Sequence, residues 1–188
     1  MGRIPRRRNW ADNDQDTSTP PYEFTVNYPY LKALLQAFTV AKSFIHFVSF
    51  GSLSGFMAGV LKLAAQRVPV NGVISVTGSN VASVLKSATQ YNDEAARLDL
   101  RVLASEGSSV DLPHQKLVVI DGLLSSEGSA NLNEQAWRKA EQDLEEIQIV
   151  TDYAEVAELN NKFFSAAWLK ADKKPSKVVE MYETGPPL

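Results

Sequence analysis

The chain contains no cysteine and only two histidines, His46 and His114, among its 188 residues. Without thiols there can be no disulfide and no thiolate zinc site. Two imidazoles are too few for a His-rich metal site within one chain. Metal chemistry is left to carboxylates, and the 22 Asp and Glu keep a carboxylate-only magnesium site open. No apolar run reaches the roughly eighteen residues of a membrane-spanning helix. The basic start, MGRIPRRRNW, is not followed by an apolar stretch and does not read as a secretory signal; the expected location is the cytoplasm. An excess of positive charge is also missing. The net charge of −3 excludes a surface that is basic throughout, so a nucleic-acid partner would have to meet a local basic groove.

What remains is an ordinary globular composition, 44% apolar, at a length that favours one domain with one sizeable core. Residues 1–21 read as a flexible polar arm. Its Arg6, Arg7 and Arg8 could touch phosphates, although short charge runs are usually solvated, and Trp10 cannot be placed. Residues 22–172 form the domain and 173–188 a tail. Within the domain, helical and strand periods alternate. Helical spacing appears in YLKALLQAFTVAK (30–42), GSLSGFMAGVLKLAAQR (51–67) and SNVASVLKSATQYNDEAARL (79–98), and again in NLNEQAWRKAEQ (131–142) and YAEVAELNNKFFSAAWLK (153–170). Strand-like runs are SFIHFVSF (43–50), VNGVISVTG (70–78), LDLRVLAS (98–105), HQKLVVID (114–121), LLSSEGSA (123–130) and LEEIQIVT (144–151). This alternation predicts an α/β fold with a sheet sandwiched between helices. Asp121-Gly122 predicts a hairpin turn, which makes the sheet mixed.

One stretch stands apart: HQKLVVIDGLLSSEGSAN, residues 114–131. On a strand, His114 and Lys116 project from one face, about 7 Å apart. A histidine beside a fixed cation suits an anionic substrate, because the cation attracts the anion and favours a neutral, nucleophilic imidazole. Gly128 permits close approach of a ligand or a neighbouring strand. Ser129 offers a hydroxyl. Asn131, with Glu134 three residues on, stands where a helix begins and can serve as its N-cap. Together these residues describe a phosphate-binding and phosphate-attacking site. The bland alternative, turn and cap chemistry alone, accounts for Gly122 and Asn131 but not for His114 with Lys116. His46 lies in an apolar strand and reads as a hydrogen-bonded core histidine. Ser49 and Phe50 end that strand and could border the site. GSLSG (51–55) has Leu53, not serine, at its centre and reads as a helix start rather than a hydrolase elbow. Trp137, Phe163, Phe164 and Trp168 read as core or dimer contacts rather than base-stacking platforms.

His114-x-Lys116, then Asp121, then Gly128-Ser129-x-Asn131, resembles the HKD motif of the phospholipase D superfamily in residue types and in spacing. The resemblance extends over roughly residues 30–170, so the expected fold is one phospholipase D-like lobe. Glu145 or Glu146 fits the acidic residue that this family often carries at the next strand, Glu145 the better by its place before the apolar run. The resemblance implies phosphodiester hydrolysis in two steps, with no metal or cofactor. One histidine attacks phosphorus to form a phosphohistidine; a second protonates the leaving oxygen and then activates water. Lys116, Ser129 and Asn131, with Gly128, would bind the phosphate, whereas Asp121 would be structural.

Many members of that superfamily carry two motifs in a chain, and this chain carries one. His46 cannot supply the second, since Val48 stands where a lysine would be. The expectation is therefore a homodimer with one composite active site across a two-fold axis. Single-motif members resemble small bacterial nucleases, which implies a DNA endonuclease, working in a host-defence or DNA-processing assembly with a larger protein complex that delivers DNA and with no membrane involved. Two other readings stay open. One is a phospholipase-type phosphodiesterase; the other is a DNA-binding or scaffolding subunit whose HKD site is idle or is activated by a partner.

Overall fold

The computed structural model describes residues 28–51, 53–92, 97–105 and 112–171; the basic arm and the tail lie outside the described residues. The first helix, α1 (Pro29–Val40), opens with Pro29 in its first turn, where the missing N–H costs nothing. It buries Leu31, Leu34, Leu35 and Phe38, the face its spacing predicts. β1 (Ile45–Phe50) follows, then α2 (Gly55–Ala65), whose N-cap is Ser54: its Oγ accepts from Met57 N at 3.2 Å. GSLSG is thus a helix start. β2 (Val70–Thr77) leads through a short 3₁₀ turn into α3 (Val81–Tyr91), and β3 (Leu98–Ser105) has the bounds read from the sequence.

The second half is a meander. β4 (Lys116–Ile120) turns into β5 (Leu124–Gly128), α4 (Glu134–Ala140) follows, and β6 (Ile147–Val150) completes the sheet. The β4–β5 connection is the predicted hairpin. Leu123 N donates to Ile120 O, and both central residues take positive φ, Asp121 at 57° and Gly122 at 69°, as a primed turn requires. The strands lie in the order β3-β2-β1-β4-β5-β6. β1, β2 and β3 are parallel, and each pairing from β1 through β4 and β5 to β6 is antiparallel. The mixed sheet is covered by helices α1 to α4 on one face, around a large core that includes Phe38, Phe47, Leu61 and Ile74. The closing helical segment covers the other face, over a smaller core of Val48, Leu117, Val119, Val156 and Phe164.

That closing segment departs from the single helix expected over 153–170. α5 (Tyr153–Leu159), capped by Asp152, widens into a π-helical turn over Asn160–Ser165 before α6 (Ala166–Lys170). A wide turn of this kind leaves the hydrophobic period almost unchanged, so it is invisible in sequence, and such turns recur at functional sites.

The topology gathers four strand termini at one end of the sheet. β1 and β5 end there, and β4 and β6 begin there. The pairings Val48↔Leu117, Lys116↔Gly128 and Gly128↔Ile147 align those ends in adjacent rows.

Candidate active site

His114 does not sit on a strand. β4 begins at Lys116, because β1 offers no pairing partner beyond Val48↔Leu117 and Pro113 just upstream has no N–H to give a ladder. The expected same-face alternation therefore does not position the imidazole. His114 instead folds back over the strand end. Lys116 Nζ lies 2.9 Å from its Nδ1 and 3.3 Å from Nε2, and donates to its carbonyl oxygen at 2.5 Å. The imidazole is exposed, while Lys116 is only 7% exposed. The Phe50 ring backs the pair, 4.8 Å from the imidazole centroid and 5.6 Å from Nζ. Phe50 does border the site, as its place at the end of β1 suggested.

Burial pushes the Lys116 pKa below its usual value, and the negative charge of Glu145 opposes that shift. The buried ammonium is thus held with incomplete hydration beside an exposed imidazole. In such a place an anion gains more from the charge than it would from a surface lysine.

The Gly-Ser-x-Asn turn closes the site from the β5 side. Gly128 has φ +149°, and a Cβ there would meet the Glu146 carbonyl oxygen at 2.0 Å. Of the two reasons offered for this glycine, the neighbouring strand is the one the structure supplies. Ser129 clamps the segment before β6: its Oγ donates to Glu145 Oε2 at 2.5 Å and accepts from Glu146 N at 2.8 Å, while its N–H donates to Glu146 O at 3.0 Å. Glu145, rather than Glu146, is the carboxylate that both meets Ser129 and acts on Lys116.

Asn131 does not cap α4. Its Oδ1 accepts from Phe50 N at 3.1 Å, tying the turn to the end of β1, and Ser49 Oγ accepts from Leu132 N at 2.9 Å beside it. The cap is Asn133, whose Oδ1 accepts from Ala136 N at 2.9 Å. Two asparagines two residues apart are both favoured N-cap residues, and the tie to β1 separates their roles. With Oδ1 engaged, the Nδ2 hydrogens of Asn131 have no partner among the described residues.

Asp121 stands at the opposite end of β4, about 17 Å from Lys116 by strand rise. Its carboxylate accepts from Lys42 N, Ser43 N and Phe44 N at 2.7 to 3.1 Å, binding the chain just ahead of β1 to the hairpin turn. Its distance from the imidazole comes from the length of the strand, more than from the face it lies on.

His46 is also far from the site chemistry. It stacks on Phe164 at 4.0 Å, touches Phe44 at 4.3 Å and shares a 2.9 Å hydrogen bond between Nδ1 and Asn160 Oδ1. Burial lowers its pKa, and the Asn160 contact partly offsets this. Trp137 and Phe164 are core residues, whereas Phe163 and Trp168 are partly exposed. Among the described residues no three His, Asp or Glu side chains converge as metal ligands would. No helix among them is long and apolar enough to cross a membrane.

The model of the cardiolipin synthase, PLD-like domain family matches residues 34–168. Several solved structures share the fold. Nuc of Salmonella typhimurium, a phospholipase D family member, is 20% identical, with a TM-score of 0.55 over 74% of this chain and 87% of that one. NucT of Helicobacter pylori is 16% identical, with a TM-score of 0.58 over 76% and 89%. TrmBL2, an archaeal chromatin protein with a novel mode of DNA binding, is 20% identical, with a TM-score of 0.50 over 76% of this chain but 49% of that one. No protein of curated function matches the chain in sequence.

Proposed function

The chain belongs to the phospholipase D superfamily of phosphodiesterases, and on that premise we propose that it is a metal-independent DNA endonuclease acting through His114. The observation that carries this reading is the pairing of an exposed imidazole with a buried ammonium 2.9 Å away, at a sheet end where the Asn131 amide hydrogens have no partner among the described residues. A phosphate oxygen arriving at Lys116 competes for the ammonium and releases the ring nitrogen it contacts. That nitrogen attacks phosphorus, the P–O bond to the leaving nucleoside breaks, and a phosphohistidine forms. Lys116 and Asn131 donate to the non-bridging oxygens as charge grows on them. Ser129 holds Glu145, whose negative charge favours the ammonium form of Lys116 against the cost of its burial.

The leaving oxygen needs a proton and the second step needs an activated water. His46 is committed to Asn160 and Phe164 and cannot serve. The proton donor in our reading is the partner's His114 in a two-fold homodimer, so that one active site is shared between two copies. Purified protein should cut DNA in the presence of EDTA, and His114→Ala and Lys116→Ala should not. Loss of cutting on chelation alone overturns the mechanism, and an active monomer by light scattering overturns the shared site. A delivering complex and a role in host defence extend this reading by analogy with small nucleases of the family.

A second reading, a DNA-binding subunit with an idle site, is favoured by one contact: the Lys116 ammonium is turned onto the His114 carbonyl and ring rather than outward. Salt-dependent DNA binding without turnover supports it. The family match to a cardiolipin synthase domain keeps a lipid phosphodiester as the comparison substrate, which a vesicle assay separates from DNA.

A further inference from the structure

A cavity of about 280 Å³ opens beside the HKD residues and shares Lys116 and Gly128 with them. Its walls include Gln115, Glu127, Gln148 and Phe163. The register explains the grouping. Glu127 pairs with Leu117 on one side and Gln148 on the other, so these three lie in one row across β4, β5 and β6 on the face covered by the closing segment. Phe163 comes from the π-helical turn, where Phe164 goes into the core and Phe163 stays partly exposed at the cavity wall. A position that sequence spacing assigns to the core thus supplies an aromatic surface.

The chemistry of these walls is selective. Glu127, Gln115 and Gln148 have no side-chain partner among the described residues, and with Gln115 and Gln148 exposed a ligand competes only with water for them. Glu127 and Glu146 both line the cavity, and two carboxylates repel a phosphate from it. The phosphate belongs at Lys116 on the cavity's edge, which leaves the interior to an uncharged group on the same strand. A volume just below the roughly 300 to 1,000 Å³ of small-molecule sites suits one base rather than two. A carboxylate that accepts two parallel hydrogen bonds needs two adjacent N–H donors. Among the four bases only guanine has them on its Watson–Crick edge, at N1 and N2, beside an O6 acceptor that the Gln148 amide can serve. Adenine and cytosine place a ring-nitrogen lone pair next to their amino group, and thymine places oxygens on both sides of its single N–H.

We propose that this cavity is a guanine pocket, which takes the Watson–Crick edge of a guanine in single-stranded DNA next to the phosphodiester held at Lys116. The strand must be single because that edge is occupied in a duplex. Phe163 supplies the stacking surface that single-strand readers use. The pocket rests on the nucleic-acid reading of the site but adds a sequence preference to it.

The test uses the full chain and thymine oligonucleotides carrying one guanine, inosine or adenine; inosine lacks only the N2 amino group. Binding is measured by anisotropy on the His114→Ala protein, so that the strand stays intact, and cutting is mapped separately with the protein unaltered at His114. The expected result is guanine bound about tenfold or more tighter than inosine, with Glu127→Gln in the same background abolishing that ratio and moving the preference towards adenine, which a carboxamide can match. Equal binding of the three oligonucleotides, or a guanine preference that survives E127Q, overturns the pocket. Binding with the preference but no cutting leaves the pocket standing and removes the nuclease reading. Cutting without preference does the reverse, and no binding at all removes both.

Discussion

The two histidines stand differently against one sheet, His46 within β1 and His114 just ahead of the start of β4. His46 is enclosed: a ring stacks on it at 4.0 Å, another touches it at 4.3 Å, and its Nδ1 is spent on Asn160. His114 is exposed at the sheet's end, backed by the Phe50 ring and contacted by a lysine that an anion can draw away. The first has its hydrogen bond satisfied and its charged form disfavoured, so it contributes to the fold. The second keeps its chemistry available because little packs on it. The difference teaches that, in the proposed mechanism, reactivity follows from what the surroundings leave unspent, since the side chain is identical.

Removing each ring should separate the two roles most sharply at His114. His114→Ala should lower DNA cutting by about 10³-fold or more, with a melting temperature close to that of the parent, since an exposed ring adds little packing. A large loss of melting temperature in this variant would sink the contrast. Lys116→Met comes next. It should reduce cutting by about 10²- to 10³-fold, while stability at neutral pH holds or rises, because a buried charge is replaced by an apolar chain of similar length. The sign follows from the lowered pKa of Lys116: burial disfavours the charged form in the folded chain but not in the unfolded one, so the fold bears a cost that a methionine does not carry.

Asp121→Ala should act on the fold alone. It removes the acceptor of three backbone N–H groups at the far end of β4 and should cost about 2 kcal/mol in denaturant unfolding. Asp121→Asn should cost less, because asparagine tolerates the positive φ and keeps one acceptor. His46→Ala should cost about 1–2 kcal/mol through the lost stack and hydrogen bond, with cutting little changed per folded molecule.

The smallest effect concerns pH. The folded-state pKa of His46 is lowered, so the unfolded chain binds the proton more readily. Stability from this residue is complete above its unfolded value near pH 6.5 and is lost as pH falls through the folded value. His46→Leu should flatten that part of the pH–stability curve. An unchanged slope as pH falls below about 6.5 would show that the enclosure of His46 has no energetic weight.

Much of this contrast is legible in the amino-acid sequence. β3 has the bounds its sequence predicts, the Asp121-Gly122 turn is a hairpin, and His46 is hydrogen-bonded as its apolar neighbours suggested, though half-buried rather than in the core. The local signals were strong there: alternation, an Asp-Gly pair, an apolar run. The expectation failed where two local solutions compete. Asn131 and Asn133 both precede α4, and the choice between them is made by Phe50 N, which is distant in sequence. His114 lies off the strand because β1 has no partner for it there, a fact about β1 rather than about HQKLVVID. Glu127 and Gln148 carried no signal, since an isolated acid and an isolated amide on short strands look like solvated surface.

Residue order alone determined the mixed α/β architecture, the family motif and the scarcity of imidazole that makes His114 informative, because periodicity and spacing are properties of the covalent chain. Tertiary structure decided which groups meet. Ser129 reaches Glu145 across a strand pair, Asn131 reaches the end of β1, and Asp121 is kept at the far end of the hairpin. Side-chain hydrogen bonds act over about 3 Å, and only the pairing of distant strands brings such partners within that reach.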